Sequence, residues 1–288
     1  MFSPEDHNEF KLSVLLTCYN RHENTLKCLR KIYSQIFHTS VSIAVFLTDD
    51  GSSDGTPEMV SREFPQATII KGNGSLYWCG GMRVAWKTAL QSDHFDYFLW
   101  LNDDTFLKQD AITEMLVAAK DHFGIIVGSC HDPETGVWTY GGRATKDGKK
   151  SLAGTPVLPG STVQKCQQMN GNIVLVPKAV VDRIGILSDE FTHVIGDFDY
   201  GFRALDAGIP IYVAPHYQAT CSTNLLPAWC DPATPFRKRL ALFNKPKGIH
   251  FSEFMVFCYR HFGLRCILNG AKVIIRLLLP GLWCVRKG

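Results

Sequence analysis

The stretch YFLWLNDDT, residues 97–105, decides the fold class of this chain. Its first part is a continuous run of large apolar residues, which is typical of a strand buried on both faces of a parallel sheet. The run ends at the polar residues Asn102, Asp103, Asp104 and Thr105. Open α/β sheets bind ligands at the carboxyl ends of such strands. Carboxylates there suit Mg²⁺ or Mn²⁺ bound with substrate phosphates, although Asn and Asp are also ordinary turn residues.

Further apolar runs lie on either side of this strand and alternate with helical patterns. Strands that alternate with helices favour parallel βαβ units, so we predict an α/β fold with a mainly parallel twisted sheet and flanking helices. We expect the irregular segment 131–165 to form hairpins and loops over the ligand cleft. The other predicted strands span residues 11–17, 41–48, 67–70, 124–129, 170–177 and 209–214, and the shorter helices span 82–90 and 178–184.

A second acidic turn follows the predicted strand 41–48. It begins at Asp49 and Asp50 and continues as GSSDGTP, which contains residues that cap and start a helix. Because parallel strands present their carboxyl ends at one edge of a sheet, Asp49 and Asp50 should share a cleft with Asp103 and Asp104. The first strand–helix turn lacks GxGxxG and the chain contains no GxxxxGK[ST]. No motif therefore supports a Rossmann dinucleotide site or a P-loop NTPase.

Length and composition limit the class of protein. The chain has 288 residues, of which 45% are hydrophobic and 20% are charged, as expected of a folded chain with a sizeable core. Its ten cysteines form no CxxC pair, which argues against a zinc finger and against a disulfide framework. The first ten residues, MFSPEDHNEF, lack the pattern of a signal peptide. We therefore expect a cytoplasmic protein.

The charge is distributed unevenly along the chain. Residues 236–288 contain eleven Lys and Arg residues and a single acidic residue, Glu253. Subtracting these from the totals of 30 and 27 leaves 19 basic and 26 acidic residues, so a body of −7 is joined to a tail of +10. We accordingly divide the chain into a domain of residues 1–235 and a tail of residues 236–288. A tail of this charge is attracted to a polyanion, either nucleic acid or an anionic membrane surface.

The helical pattern of the tail favours the membrane. Arg265, Asn269, Lys272 and Arg276 fall on one helical stripe, and apolar residues cover much of the remaining surface. Because charges interrupt every long apolar run, we predict a peripheral helix on the inner face of the cytoplasmic membrane and no membrane-spanning helix. The alternative is a helix packed on the body with a solvated basic face. Nucleic acid is not a predicted partner, since no known binding module is evident.

Four blocks between residues 11 and 222 resemble the family 2 inverting nucleotide-sugar glycosyltransferases, which have the GT-A fold. The second and fourth blocks are the most specific matches to the patterns of that family. The segment GNGSLYWCGG, residues 72–81, is in addition similar to a bacterial rhamnosyltransferase-like subgroup. The four blocks are, in chain order, SVLLTCYNRHE, FLTDDGSSDGT, WLNDDT and GDFDYGFRALDAGIPIYVAP.

The resemblance implies a role for each matching residue. Asp197 would be the catalytic base on the acceptor hydroxyl, and Asp104 would bind Mn²⁺ or Mg²⁺ at the donor diphosphate, with His216 as a second candidate metal ligand. The donor would be a UDP-, dTDP- or GDP-linked sugar, and the acceptor a glycan or lipid-linked glycan of cell-surface polysaccharide synthesis. The residues implied to bind the nucleotide-sugar are Thr17, Tyr19, Arg21, Asp49, Asp50 and Asp103. Further candidates for the same role are Asn20, Asn73, Trp78, Gly81, Arg83 and Asn102.

The chain departs from the family pattern at two positions, which leaves other functions open. Asn102 stands at the first position of the DxD-type motif, and Gly196 stands where the family has an acid before the base. One alternative is a sugar-phosphate nucleotidyltransferase, which shares the sheet architecture, and another is a non-catalytic nucleotide-sugar-binding module. Asp199 and Arg203 are predicted to pair on one helix face. A homodimer is compatible with the sequence.

Overall fold

The computed structural model describes residues 10–37, 40–224, 227–246 and 248–284, without the side chains of residues 283 and 284. The N-terminal residues 1–9 and the last residues of the basic tail, 285–288, lie outside this description. The helices are α1 (His22–Tyr33), α2 (Thr56–Glu63), α3 (Tyr77–Ser92), α4 (Ala111–Asp121), α5 (Lys178–Ile184), α6 (Gly196–Asp206), α7 (Phe236–Phe243), α8 (Phe251–Phe262), α9 (Cys266–Leu278) and α10 (Gly281–Cys284).

The strands form one large sheet and a small second sheet. In chain order they are β1 (Phe10–Cys18), β2 (Val41–Asp49), β3 (Thr68–Lys71), β4 (Tyr97–Leu101), β5 (Phe106–Leu107), β6 (Ile125–His131), β7 (Trp138–Tyr140), β8 (Gly142–Ala144), β9 (Thr155–Pro156), β10 (Gln164–Cys166), β11 (Gln168–Met169), β12 (Ile173–Pro177) and β13 (Ile211–Thr220).

The large sheet has the strand order β10–β13–β6–β12–β4–β1–β2–β3, and β5 and β7 pair with its members β13 and β6. Strands β3, β2, β1 and β4 run parallel to one another, and β6 runs parallel to β13. Strand β12 is antiparallel to both of its neighbours, β4 and β6. The prediction of a mainly parallel α/β sheet with flanking helices is confirmed, with β12 as an antiparallel strand between the two parallel groups.

Strand β4 lies in the middle of the sheet and is covered on both faces. Phe98, Leu99, Trp100 and Leu101 are all fully buried. Alternate side chains point to opposite faces of a strand. Leu99 and Leu101 therefore pack in the cluster that contains α1 and α4, whereas Phe98 and Trp100 pack in the cluster that contains α3 and α6. Burial on both faces explains why residues 97–101 form an uninterrupted apolar run.

The order of the strands reverses at β1. Strands β2 and β3 follow on one side of β1, and β4 lies on its other side. A crevice opens outside the carboxyl ends of the strands at such a switch point, and this is where open α/β sheets bind ligands. Cys18 at the end of β1 and Asn102 just after β4 both lie at this position.

Helix α3 begins at Tyr77, earlier than the predicted start at Met82. Residues 77–81, which the sequence pattern left outside this helix, are therefore helical. Gly81 faces β1, and an added Cβ would collide with Thr17 Oγ1. The residue is small because helix and strand pack closely there, and not because a turn requires glycine.

The C-terminal helices share cores with the rest of the chain. Phe254, Phe257 and Cys258 of α8 pack in one buried cluster with Phe191 and Phe202. A second small cluster joins residues on both sides of position 236, namely Trp229, Cys230, Phe243 and Leu277. The packed alternative for the tail therefore applies to α8, which covers α6.

A cluster of ion pairs ties α8 to α6. Asp199 is fully buried and pairs with Arg203 in its own helix at 2.9 Å, as predicted. The same carboxylate also contacts Arg260 at 2.8 Å and His261 at 2.9 Å, both from α8. Arg203 of α6 and Arg260 and His261 of α8 thus all contact the single buried carboxylate of Asp199.

Replacement of Asp199 by Ala should strongly destabilise the fold, because Arg203, Arg260 and His261 would lose their shared anion. Removing one partner of a buried pair costs about 3 kcal/mol or more. Asp182→Ala is the matched control, since Asp182 pairs with Lys178 on an exposed helix surface, where such a pair contributes less than about 1 kcal/mol. Urea unfolding of both variants measures the difference. Equal losses would show that α8 is not held through Asp199.

Candidate active site

A cavity of about 860 Å³ opens at the switch point of the sheet. Its walls come from the ends of β1 and β4, the turn after β2, the start of α3 and the loop before it, the loop before α6, the segment after β13, and the end of α7 with the residues that follow it. The residues that line it are Thr17, Cys18, Tyr19, Asn20, Arg21, Asp50, Gly74, Tyr77, Trp78, Asn102, Asp103, Asp104, His193, Asn224, Leu242, Lys245 and Pro246.

The structure brings many, though not all, of the sequence-predicted site residues to this cavity. Cys18, Gly74, Asn224 and three residues of the C-terminal segment line it without having been predicted. No motif marks the C-terminal segment as part of a site, so sequence reasoning could not have found those three. The predicted residues that line the cavity are Thr17, Tyr19, Asn20, Arg21, Asp50, Trp78, Asn102, Asp103 and Asp104.

Arg21 joins the two carboxylates that follow β4. Its Nη1 donates to Asp103 Oδ1 at 2.8 Å and its Nη2 donates to Asp104 Oδ2 at 2.9 Å. The Asp103 side chain is only 5% exposed, whereas that of Asp104 is 26% exposed. Burial raises the pKa of Asp103 to about 7, against the opposing effect of Arg21 and with a further rise from Asp104. Asp104 is therefore the carboxylate of this pair that is open to a ligand in the cavity.

The oxygen atoms of Asp104 suit Mg²⁺ or Mn²⁺, but only with ligands from outside the chain. Among the residues that the structure describes, no group of three or more His, Cys, Asp or Glu residues could hold an ion. Mg²⁺ is usually held by one or two carboxylates together with substrate phosphates and water, and Asp104 fits that pattern. Cys221 Sγ lies 3.9 Å from Asp104 Oδ1. Sulfur is a soft ligand, and Mg²⁺ and Mn²⁺ prefer oxygen ligands, so Cys221 is a poor candidate ligand for either ion.

His216, the second predicted metal ligand, does not line the cavity. Its side chain is exposed on β13 and its backbone N–H donates to Gly160 O at 2.8 Å. The register of β13 against β6 shifts between Val213 and Tyr217, and His216 itself has a φ of 55°. The strand then continues for several residues before Cys221 reaches the neighbourhood of Asp104. The structure thus places Cys221, and not His216, beside Asp104.

The two carboxylates after β2 hold backbone groups. Asp50 Oδ1 accepts a hydrogen bond from the Gly74 N–H and its Oδ2 accepts one from the Tyr77 N–H, each at 2.9 Å. Asp49 is buried and does not line the cavity; its Oδ2 accepts a bond from the Ser52 N–H at 3.1 Å. Asp50 therefore fixes the start of α3 at the cavity wall, and Asp49 fixes the turn behind it.

Three other predicted nucleotide-sugar residues also make structural contacts away from the cavity lining. Gly81 packs on β1, as described above. Asn73 Oδ1 accepts a bond from the Ser75 N–H at 3.0 Å. Arg83 donates to the carbonyl oxygens of Ser188 and Phe191 at 2.8 and 2.7 Å. Arg83 thereby anchors the loop that precedes α6.

Trp78 lines the cavity and lies close to Gly171, a neighbour of Asp197. Its Nε1 donates to Asn102 Oδ1 at 2.7 Å, and its ring packs so closely on Gly171 that an added Cβ there would collide with it. The same added Cβ would lie 3.4 Å from Asp197 Cβ. Asp197 accepts hydrogen bonds from the N–H groups of Gly171 and Phe198, each at 2.9 Å. Asp197 is thus a neighbour of the cavity wall and is not part of its lining.

The surroundings of Asp197 prepare it to accept a proton. Burial raises the pKa of its carboxyl group to about 6, while the N–H donors of Gly171 and Phe198 act in the opposite direction. A base works best when its pKa lies near the working pH, because it is then both ionised and basic. At neutral pH Asp197 is ionised and more basic than an ordinary aspartate.

The loop before α6 carries His193 to the cavity, and it is held from two sides. Glu253 of α8 is 8% exposed and accepts hydrogen bonds from the Thr192 N–H, at 3.0 Å, and from the Thr192 hydroxyl. From α3, the Cys79 N–H donates to Thr192 O at 3.0 Å. Glu253 is the single acidic residue after position 236, but nothing in the sequence marks Thr192 as its partner.

Backbone strain is concentrated around the same site. Asn20, Tyr77 and Ile195 have φ angles of 51°, 52° and 74°. Asn20 and Tyr77 line the cavity, and Ile195 directly precedes α6. Left-handed backbone is especially costly for a β-branched residue such as Ile195. Strain of this kind persists where the surrounding structure over-determines the backbone, and it tends to cluster at functional sites.

Comparison with known proteins agrees with this geometry. Residues 13–172 match the family model described as glycosyl transferase family 2. The match covers more than half of the chain, and the protein belongs to that family. The matched residues include the ends of β1, β2 and β4, and they supply most of the residues that line the cavity.

Two solved structures share the fold, which is that of the GT-A glycosyltransferases. The mannosyltransferase PcManGT from Pyrobaculum calidifontis, in complex with GDP-Man and Mn²⁺, is 14% identical with a TM-score of 0.54, over 99% of this chain and 78% of that one. TarS from S. aureus is 15% identical with a TM-score of 0.50, over 88% of this chain and 44% of that one. No curated protein sequence matches the chain.

Loss of the Glu253 carboxylate should loosen the loop that carries His193. In Glu253→Ala the N–H and hydroxyl of Thr192 lose their acceptor, and an unsatisfied buried donor costs about 1–3 kcal/mol. Hydrogen exchange of the peptide around Thr192 should therefore accelerate at least fivefold, read by mass spectrometry. Glu134→Ala, in an exposed turn, is the control. Unchanged exchange in Glu253→Ala would mean that α8 does not hold the loop.

Proposed function

We propose that this glycosyltransferase moves a sugar from a nucleotide-sugar donor to a glycan or lipid-linked glycan, with inversion at the anomeric carbon. One observation carries the proposal: Arg21, Asp50 and Asp104 meet in one cavity at the switch point of a family 2 sheet. The neighbour PcManGT was solved with GDP-Man and Mn²⁺, which supports a nucleotide-sugar donor and a divalent cation for this chain as well.

The donor would lie along the ends of β1 and β4. Thr17, Tyr19 and Asn20 would contact the nucleotide, and Arg21 would give its guanidinium to the diphosphate. Asp104 would hold Mn²⁺ or Mg²⁺, an ion that neutralises the charge developing on a leaving diphosphate. Arg21 pairs with Asp104 at 2.9 Å, so a guanidinium that can bind phosphate lies beside the carboxylate that would hold the cation.

Asp197 would act as the base on the acceptor. The acceptor hydroxyl oxygen attacks the anomeric carbon while the bond from that carbon to the diphosphate oxygen breaks, and the hydroxyl proton passes to Asp197. The nucleoside diphosphate leaves with the electron pair of the broken bond. Trp78 and His193 line the cavity, and they would shape the path of the acceptor hydroxyl.

The donor sugar and the acceptor are proposed from the resemblance of the sequence to known groups of glycosyltransferases. The likeness of residues 72–81 to a rhamnosyltransferase-like subgroup makes an activated deoxyhexose, linked to dTDP, UDP or GDP, the first donor to test. The acceptor would belong to cell-surface polysaccharide synthesis on the cytoplasmic side of the membrane. A nucleotidyltransferase would instead form a nucleotide-sugar and release diphosphate, and a binding module would retain the donor without turnover. Product analysis separates these functions.

Asp104→Ala should abolish the part of nucleoside diphosphate affinity that depends on Mn²⁺, because the ion would lose its protein carboxylate. We expect at least a tenfold weaker Kd for UDP, dTDP or GDP, whichever binds best, by titration calorimetry in Mn²⁺. Asp110→Ala is the matched control, since Asp110 is exposed next to Lys108 and outside the cavity. If EDTA leaves wild-type affinity and turnover unchanged, the metal proposal is wrong.

Asp197→Asn keeps the shape of the side chain but cannot accept the proton, so kcat should fall by roughly 10²–10⁴-fold with little change in donor affinity. The wild-type rate should also fall below a pH of about 6, since the pKa of Asp197 is raised to that value and its protonated form is not a base. A pH profile of kcat/KM for transfer measures this. A variant that loses donor binding, or a wild-type profile flat down to pH 5, would contradict the assignment.

A further inference from the structure

Helix α9 has one face against the protein and a second, broad face that nothing in the described structure covers. Cys266, Gly270 and Leu277 are buried and place one side of the helix against α7, α8 and the turn at Trp229. At the 3.6 residues per turn of an α-helix, the exposed residues Ile267, Leu268, Ile274, Ile275 and Leu278 occupy an arc of about 120° next to this buried side. An ordinary surface helix would present polar residues on that arc.

The residues on this arc are large and apolar. Ile267 and Leu268 are 65% and 64% exposed, and Leu278 is 51% exposed. Leu264 before the helix and Leu282 after it extend the same surface and are 80% and 61% exposed. Single exposed apolar residues are common on proteins, but a contiguous patch marks an interaction site.

Basic residues border this apolar surface. Arg265 and Lys272 are exposed along one edge of the apolar arc, and Arg276 continues the stripe towards the body, where its guanidinium lies over the Trp229 ring at 5.6 Å. Glu253, the single acidic residue of the segment 236–288, is buried against Thr192. The surface around α9 therefore combines exposed apolar side chains with positive charge that no acid of the same segment offsets.

The same helical unit also forms part of the cavity. Leu277 of α9 packs with Phe243 of α7, and Leu242 and Lys245, beside and just after that residue, line the cavity. The helix that carries the apolar arc therefore packs on the segment that lines the cavity.

We propose that the apolar face of α9 docks onto an anionic lipid bilayer. This inference rests on the proposed function, because a lipid-linked acceptor would then meet the cavity at the membrane surface. Leu264, Ile267, Leu268 and Leu278 enter the boundary between headgroups and acyl chains, while Arg265 and Lys272 contact anionic headgroups. Within the described ranges, no helix is long and apolar enough to cross a bilayer, so α9 lies along the surface.

The test uses the full chain and vesicles of phosphatidylcholine with or without phosphatidylglycerol. The Ile267→Gln/Leu268→Gln variant should sediment with mixed vesicles at least tenfold less than wild type. The matched control is Val137→Gln/Leu158→Gln, because these residues are 64% and 62% exposed elsewhere on the body. This control should sediment like wild type.

The contribution of Arg265 and Lys272 to vesicle binding is tested with charge-reversal variants. Arg265→Glu/Lys272→Glu should lose binding to the mixed vesicles, and Lys146→Glu/Lys149→Glu, with the same change in charge on an exposed turn, should lose much less. Binding of the wild type should weaken with salt, since screening shortens the range of the attraction to about 8–10 Å. Wild-type binding to pure phosphatidylcholine should be weaker than to mixed vesicles.

Several outcomes overturn the proposal. Wild type that stays in the supernatant shows that α9 does not dock on lipid. Equal sedimentation of the α9 variant and its control places the contact elsewhere. A wild-type dimer in analytical ultracentrifugation that Ile267→Gln/Leu268→Gln dissolves, without vesicle binding, assigns the face to a second copy of the chain. Nucleoside diphosphate affinity of the α9 variant, measured in parallel in Mn²⁺, stays at the wild-type value if only the docking inference fails.

Discussion

The burial of β4 on both faces is the constraint on which the site depends. Its side chains fill the core on each side of the sheet, so polar residues can appear only where the strand ends. The reversal of strand order at β1 opens a crevice at that end. Asp103 and Asp104 are consequently held in the crevice, where Arg21, which follows β1, pairs with both. The electrostatics of the cavity follow from the topology of the sheet.

The opposite side of the site is held by helices and not by the sheet. Asp197 lies in the first turn of α6, and the loop before α6 is fixed by Arg83 of α3 and Glu253 of α8. Buried Asp199 then binds α6 to α8. A segment that looks like an appendage in the sequence therefore supports the position of Asp197. The exposed face of α9 belongs to the same segment.

Sequence reasoning could predict what local patterns encode. Buried strands were visible as apolar runs, and the acidic turns after β2 and β4 marked the edge that carries the cavity. The antiparallel direction of β12 was not visible, because a fully buried strand has the same composition in either direction. The start of α3 at Tyr77 was not visible, because glycine disfavours a helix interior and Gly81 is there for close packing on β1. Contacts between distant polar residues, such as Glu253 with Thr192, leave no local pattern and need the structure.

The central claim is that the cavity at the switch point binds a nucleotide-sugar and activates its diphosphate as a leaving group. The most direct measurement is the release of nucleoside diphosphate from a panel of UDP-, dTDP- and GDP-linked sugars by the purified full chain in Mn²⁺. The account predicts release from at least one donor, stimulated by a suitable acceptor and lost on substitution of Arg21 by Ala. Absence of binding and turnover across the whole panel, with and without metal, would contradict it.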